Sequence, residues 1–314
     1  MKVIKYRYGD VPKSGRCVMA LGFFDGVHAG HRDLLLQAKT EAQRLEVPFG
    51  IFTFESDSTI KSGVGRITSD DEKAEIFRGI GADFTVFADF PSISVLSAKD
   101  FIKEVLIGVF GTEIAVAGFN YHFGKGASGD AEMLKSEMRR LGKDAVICEK
   151  FTLLGDAVST TRIRAALDAG KVQLAGILLG APYSVSGVIE HGRGVGRTLG
   201  FPTLNTSAPI GRAIPRRGVY HTAIIIDGRI YSALTNVGTC PTFEEREVHL
   251  ETFILDYKGN LYGDNLKIYF LDWIRDEIKF NGENELKKQI TVDINSINKK
   301  LEDKLWQAIG QSLP

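Results

Sequence analysis

Gly22-Phe23-Phe24-Asp25-Gly26-Val27-His28-Ala29-Gly30-His31 is the stretch on which the reading of this chain turns. It follows Val18-Met19-Ala20-Leu21, a short apolar run with the character of a buried strand. It precedes Asp33 to Arg44, where Leu34, Leu35, Ala38, Ala42 and Leu45 recur at helical spacing. The segment is therefore a strand, a glycine-hinged turn and two histidines at the mouth of a helix. Unpaired N–H groups and the positive end of the dipole make such a mouth a phosphate site. Gly30 omits a side chain that would hold a phosphate off the backbone. Gly22, Phe24 and Asp25 belong to the same candidate nucleotide surface. His28 and His31, three apart, can face one point on a helical turn and stabilise charge growing on a phosphate.

Two plainer readings compete. A zinc site needs a third ligand, and none lies nearby, nor is there a His-Glu-x-x-His. The pair could also be ordinary capping of a helix. The segment resembles the His-x-Gly-His signature of the nucleotidyltransferase superfamily, which implies transfer of a nucleotidyl group from a triphosphate.

Outward from this turn, strand-like and helix-like segments alternate to about residue 170. Strands are expected at Pro48 to Phe54, Asp83 to Phe87, Glu113 to Gly118 and Ala145 to Cys148. Helices are expected from Ser69-Asp70 to Arg78, from Ser97-Ala-Lys-Asp100 through Phe110, and from Asp130 to Leu141. That rhythm predicts a doubly wound parallel sheet with ligands at the carboxyl ends of its strands. Two polar turns sit where such ligands bind. Gly118-Phe119-Asn120-Tyr121-His122-Phe123-Gly124-Lys125-Gly126 sets aromatics beside an amide, either framing a planar ring or anchoring a surface loop. Val158-Ser159-Thr160-Thr161-Arg162-Ile163-Arg164 opens a helix with three hydroxyls and two arginines. Capping needs one hydroxyl, whereas this set suits a triphosphate. It resembles the Ser-Thr-x-x-Arg element that these nucleotidyltransferases carry late in the domain.

Composition changes near Gly180-Ala181-Pro182. Beyond it lie short alternating runs, Tyr183 to Ile189, Val219 to Ile226, Arg229 to Val237, Glu247 to Leu255 and Leu266 to Leu271, with hairpin turns at Asp227-Gly228 and Lys258-Gly259-Asn260. These predict an antiparallel barrel or sandwich. A helix from about Glu283 to the end closes it, with Leu286, Ile290, Ile294, Ile297 and Leu301 on one stripe. The expected domains are therefore 1–180 and 181–314. Between the first two runs, His191 to Asn205 fits neither the Walker A nor the Rossmann spacing. Its glycines, among them Gly194, Gly196 and Gly200, can still wrap phosphates beside Arg197, or form a flexible hairpin tip.

At 314 residues, two domains are the natural expectation. Lys plus Arg and Asp plus Glu both number 39, so no charge excess draws the chain to nucleic acid or an anionic membrane. Three widely separated cysteines, Cys17, Cys148 and Cys240, point to a reducing compartment and no metal cluster. The start lacks the apolar core of a signal peptide, and no run reaches the ~18 apolar residues of a membrane span. A cytoplasmic protein is expected.

Gly200-Phe-Pro-Thr-Leu-Asn205 resembles the Gly-Phe-Pro-Thr-Ala-Asn motif of riboflavin kinases. Asn236 to Phe243, Glu251 to Asp256, Leu261 to Gly263 and Ile274 to Phe280 resemble further segments of that family, in order. With the first half, nearly the whole chain is similar to the bacterial bifunctional riboflavin kinase/FMN adenylyltransferase, or FAD synthetase, family. The resemblance implies ATP, riboflavin and FMN as substrates and Mg²⁺ accompanying ATP. It implies Thr203 and Asn205 at the metal, Glu251 as general base, and Arg275 toward the flavin. In the first domain it implies His28, His31, Ser159, Thr160 and Arg164 on the phosphates, with Asn120 positioning substrate. A specialised nucleotidyltransferase with a flavin-binding second domain, or a non-catalytic sensor, would not need Glu251 as a base. One departure stands out. The family continues Thr-Phe-Glu with Pro-His-Pro, whereas Ser56-Asp57-Ser58 follows Glu55 here, predicting a looser, more acidic loop near the flavin side.

Overall fold

A computed structural model of the chain describes residues 1–11, 15–56, 65–190, 200–239 and 248–297. They form two compact units, Met1–Thr160 and a second that begins at Thr161.

The first unit is a six-stranded sheet in which every pair is parallel. Its strands are β1 (Lys2–Tyr6), β2 (Cys17–Leu21), β3 (Phe49–Phe54), β4 (Phe84–Ala88), β5 (Thr112–Gly118) and β6 (Asp144–Cys148), in the order β1-β4-β3-β2-β5-β6, and a separate short antiparallel pair, β7 (Thr152–Leu153) and β8 (Asp156–Ala157), follows. Strand alternation sends Val18 and Ala20 to one face and Met19 and Leu21 to the other. The first face packs on α1 (Ala29–Leu45) through Leu34, Leu35, Ala38 and Ala42, and on α2 (Asp70–Ile80) through Phe77. The second packs on α3, which runs from Ala98–Asp100 into a π-helix at Phe101–Val109, and on α4 (Ala131–Arg140). Two apolar faces covered by helices are what a parallel sheet requires. From β2 the chain winds through β3 to β4, then crosses back to β5 on the other side of β2. The carboxyl ends of β2 and β5 therefore flank the topological switch point, where open α/β sheets bind ligands.

Three of the elements named above for this unit differ from the sequence expectation. β1 is an edge strand added in register to β4 by the first residues of the chain. α2 runs through Gly79 to Ile80 and closes on Gly81 at φ +96°, because the Ser69–Glu72 capping box and buried Phe77 outweigh one mid-helix glycine. The helix after Ser97 is wound mainly as a π-helix.

Gly50 faces Phe84 in the β3–β4 register, and a Cβ there would lie 2.3 Å from Phe84 Cζ. Gly50→Ala is therefore expected to destabilise the first unit by about 1–3 kcal/mol, the usual cost of overpacking. Urea unfolding checks this, and an unchanged midpoint would contradict it.

The second unit takes in α5 (Thr160–Asp168), all but its first residue, and α6 (Val172–Leu179), both before the composition change at 181. α5 is tied to it through Leu167, whose carbonyl accepts the Arg216 N–H at 2.9 Å. The rest is a closed antiparallel barrel of β9 (Ser184–Glu190), β10 (Thr203–Ser207), β11 (Gly218–Ile226), β12 (Arg229–Thr239), β13 (Val248–Ile254) and β14 (Asn265–Arg275), ordered β10-β13-β12-β11-β14-β9. The barrel, rather than the sandwich, is the form taken. β10 has no counterpart among the expected strands: it begins at Thr203, inside the motif read as a loop, and runs past its end to Ser207. Tyr220, Ile224, Val237, Leu250, Ile254 and Phe270 are buried in the barrel unit. Among them runs a hydroxyl ladder, Thr222–Thr235 at 2.8 Å and Thr235–Thr252 at 2.9 Å. The closing helix α7 is described over Glu283–Ser296, and Leu301 lies outside the described residues.

Candidate active sites

The turn after β2 folds as a compact knot. Phe24 takes the left-handed conformation at φ 50°, and its ring doubles back on Gly22, where a Cβ would sit 2.9 Å from Phe24 Cζ. Asp25 Oδ1 accepts the backbone N–H groups of Ile67 at 2.9 Å and Thr68 at 3.2 Å. Thr68 Oγ1 in turn accepts the Gly26 N–H at 2.9 Å. Phe24 and Asp25 thus shape the turn from beneath.

The knot delivers His28 to the N-cap of α1, with His31 in its first turn. His28 Nδ1 accepts the His31 N–H at 3.2 Å, and the rings stack at 3.6 Å and 13°. Accepting at Nδ1 places the proton of neutral His28 on Nε2, which is then a donor. The Nδ1 of His31 is buried with no hydrogen-bond partner among the described residues. Phe24 packs edge-on against His31 at 5.3 Å. Gly30 is needed for packing: a Cβ would come within 3.1 Å of Phe151 Cβ and 3.4 Å of His28 Cε1. The structure therefore gives this glycine a steric reason different from the expected approach of a phosphate.

Both imidazoles are held neutral. Burial pushes His28 from its ordinary 6.5 down to about 4. Burial, then the charges of His28 and Lys73, hold His31 well below 6.5. A base whose folded value is depressed adds stability that is complete above its unfolded value and lost as pH falls through the folded one. The stability of the first unit is therefore expected to decline from pH 6.5 toward about 4, with a shallower decline in His28→Asn. Urea midpoints across that window check it; identical slopes would contradict it.

Asn120 lies exposed in the turn after β5, at the other strand of the switch point. Ser159 immediately precedes α5, and Thr160 and Arg164 stand on it four residues apart, so on one helical face. Ser56, expected in a loosened loop, is buried and held: its N–H donates to Asp70 Oδ2 at 2.9 Å and its hydroxyl to Asp70 Oδ1. Asp57 and Ser58 lie outside the described residues.

In the barrel unit, register builds a second constellation. Glu190, Asn205, Glu251, Asn236, Val219 and Arg275 are successive partners across β9, β10, β13, β12, β11 and β14. Directly paired residues stand ~4.5–5.5 Å apart at Cβ, so Asn205, Glu251 and Asn236 are side-by-side neighbours. Their alternation against buried Thr206, Thr252 and Thr235 turns them to the barrel's outer face, where Glu251 is exposed. Thr203 shares that face two residues before Asn205 and pairs with Phe253, whose ring meets Phe201 edge-on at 5.3 Å. The hydroxyl ladder beneath fixes the backbone of this row. Gly200 is a turn residue at φ +85°. Gly194, Gly196 and Arg197 lie outside the described residues.

Arg275 is engaged elsewhere. Its guanidinium grips Asp293 of α7 through Nε at 3.0 and 3.1 Å and through Nη2 at 2.7 Å. The pair is buried, with side chains 17% and 3% exposed. It ties α7 to β14, and the carboxylate occupies the fork expected to face flavin.

Sequence reasoning missed Asn236 and Glu190 as neighbours of Glu251, because β10 was read as loop and cross-strand register has no local signal. It also missed Thr68 and Asp70, whose partners lie 42 and 14 residues away. Among the described residues, no group of three or more His, Cys, Asp or Glu gathers as a metal site, and no helix is long and apolar enough to cross a membrane.

Comparison with known proteins matches residues 10–162 to the FAD synthetase family and residues 179–301 to the riboflavin kinase family. A bifunctional riboflavin kinase/FMN adenylyltransferase of Bacillus subtilis (strain 168) is 34% identical over 291 residues, covering 90% of this chain and 91% of the relative. Its namesake in Escherichia coli (strain K12) is 32% identical over 302 residues, covering 93% and 96%. A crystal structure from Streptococcus pneumoniae, named as a macrolide-efflux protein, superposes with a TM-score of 0.85 at 30% identity, covering 94% of this chain and 98% of that one. The helix-mouth imidazoles of the first unit and the Asn205–Glu251 row of the second thus fall in the two family segments, and the chain belongs to the bifunctional riboflavin kinase/FMN adenylyltransferases.

Proposed function

We propose that residues 181–314 phosphorylate riboflavin to FMN and that residues 1–180 adenylylate FMN to FAD, with ATP the donor in both steps. The observation that supports this division best is the pair of unlike constellations: neutral stacked imidazoles at a helix mouth, and a carboxylate paired with an amide on a barrel wall.

In the adenylyl step an FMN phosphate oxygen attacks the α-phosphorus of ATP, and the bond to pyrophosphate breaks. No side-chain nucleophile is needed. His28, donating from Nε2, and His31 stabilise charge on the transferring and leaving phosphates, with Ser159 and Thr160 as further donors. Gly22 and Asn120, at the ends of β2 and β5, border the nucleotide. The buried free thiols stay out of the chemistry: burial raises Cys17 to about 12 and Cys148 to about 11.

In the kinase step the primary hydroxyl of the ribityl chain attacks the γ-phosphorus of ATP, the bond from that phosphorus to the bridging oxygen breaks to release ADP, and Glu251 takes the hydroxyl proton. Exposure on the barrel wall leaves the Glu251 carboxylate open to a substrate hydroxyl. Thr203 and Asn205 offer two neutral hard oxygens on one face, beside Glu251, which fits Mg²⁺ entering with ATP phosphates rather than a cage built by protein alone. Bound there, the ion would offset phosphate charge. Gly194, Gly196, Arg197 and Gly200 complete the phosphate-binding loop in this reading. The enzyme works on small molecules in the cytoplasm, with no role for nucleic acid or membrane. Incubating the chain with riboflavin, ATP and Mg²⁺ and following FMN and FAD by chromatography tests it. FMN followed by FAD is expected; neither product, or only one, would contradict it.

A further inference from the structure

Lys73 is a buried cation that neither proposed step uses. Its side chain is 5% exposed, and it sits in the first turn of α2, where the helix dipole disfavours positive charge. Its ion-pair partner among the described residues is Asp70 at 3.7 Å, beyond the ~2.7–2.9 Å of a strong charged hydrogen bond. Both Asp70 oxygens already accept from Ser56. Asp25 also faces the ammonium, but its Oδ1 is taken up by Ile67 and Thr68, and Arg66 adds a second positive charge. A buried ammonium so incompletely balanced is costly unless another anion completes its surroundings.

The location supplies that anion. Phe77, one turn after Lys73 on the same helical face, meets Phe24 edge-on at 5.8 Å, and Phe24 meets His31 edge-on at 5.3 Å. Lys73 thus lies on the face of α2 turned to the histidine knot, and its charge falls on His31. There the His31 Nδ1 is buried and unpartnered among the described residues. The cation's charge thus reaches the residue whose imidazole nitrogen is left unsatisfied. We propose that Lys73 is a phosphate-binding residue of the adenylyl-transfer site, its ammonium swinging on a four-carbon stem from Asp70 to a phosphoryl oxygen beside His31. The inference rests on the reading of His28 and His31 as that site.

Lys73→Met keeps the stem and removes the charge. In the full chain, inhibition of FAD formation by inorganic pyrophosphate, or the KM for FMN, is expected to weaken about 10- to 100-fold, the loss of one charged hydrogen bond. The first of these assigns the ammonium to the leaving group, the second to the flavin phosphate. Lys73→Arg should recover most of the affinity. The melting temperature of Lys73→Met should not fall, because a poorly balanced buried charge has been removed. Unchanged pyrophosphate and FMN constants would overturn the proposal, as would a lower melting temperature that Lys73→Arg restores without restoring binding. If Lys73→Met fails to fold, the wild-type chain decides: the ¹³Cε resonance of Lys73 must move on adding pyrophosphate or FMN. His31→Ala separates the two readings. If it abolishes FAD formation while Lys73→Met binds normally, only the lysine assignment falls; if it leaves FAD formation intact, the site itself is misplaced.

Discussion

His31→Ala is expected to lower FAD formation from FMN by about 10²–10³-fold while riboflavin phosphorylation continues unchanged, so that the variant supplied with riboflavin accumulates FMN. The size follows from removing one preorganised donor at developing phosphate charge, worth about 3–4 kcal/mol. The selectivity follows from the fold: His31 belongs to the parallel-sheet unit, and its stack with His28 at 3.6 Å and its edge contact with Phe24 are local to the turn after β2. Alanine also removes one face of the stack, so His28 should lose orientation along with its neighbour. His31→Gln, which keeps a donor without the ring, should recover part of the rate. Coupled product analysis by chromatography reads all three quantities. Parallel loss of both activities would contradict the separation of sites.

Glu251→Gln is expected to do the reverse. Loss of a general base costs about 10²–10⁴-fold, so FMN formation should fall by that order while added FMN is still adenylylated. Glutamine keeps the shape of the side chain and its place between Asn205 and Asn236 in the β10–β13–β12 register, so the barrel should fold as before. The ATP constant of the kinase should move little, because the proton acceptor serves the attacking hydroxyl rather than the phosphate chain. A full-rate Glu251→Gln kinase would remove the carboxylate from the mechanism.

What could be read from the residues alone divides along physical lines. Val18 to Leu21 followed by Leu34, Leu35, Ala38 and Ala42 carries two periodicities in a row, and both faces of the sheet follow from it. Capping at this helix start was legible only as the competing reading of the histidine pair, on the ground that a polar residue stands where the apolar period begins. β1 was not, because Lys2-Val-Ile-Lys-Tyr is a short edge strand whose partner, Phe84–Ala88, lies far along the chain. β10 was hidden because Thr203, Asn205 and Ser207 face outward and Leu204 and Thr206 form too short an alternation beside a glycine-rich segment. The roles of Asp25 and Arg275 turned on partners that spacing cannot reveal. Asp25 is spent on backbone amides 42 and 43 residues away, and Arg275 on a carboxylate 18 residues away. Charged side chains near a turn invite assignment to a ligand, and only the fold shows which are already satisfied.

The measurement that bears most directly on two independent sites mixes the two variants. Neither His31→Ala nor Glu251→Gln should turn riboflavin into FAD alone. Together, with ATP and Mg²⁺, His31→Ala should make FMN that Glu251→Gln adenylylates, restoring FAD. A mixture that forms no more FAD than either variant by itself would contradict the assignment of the two steps to separate residues.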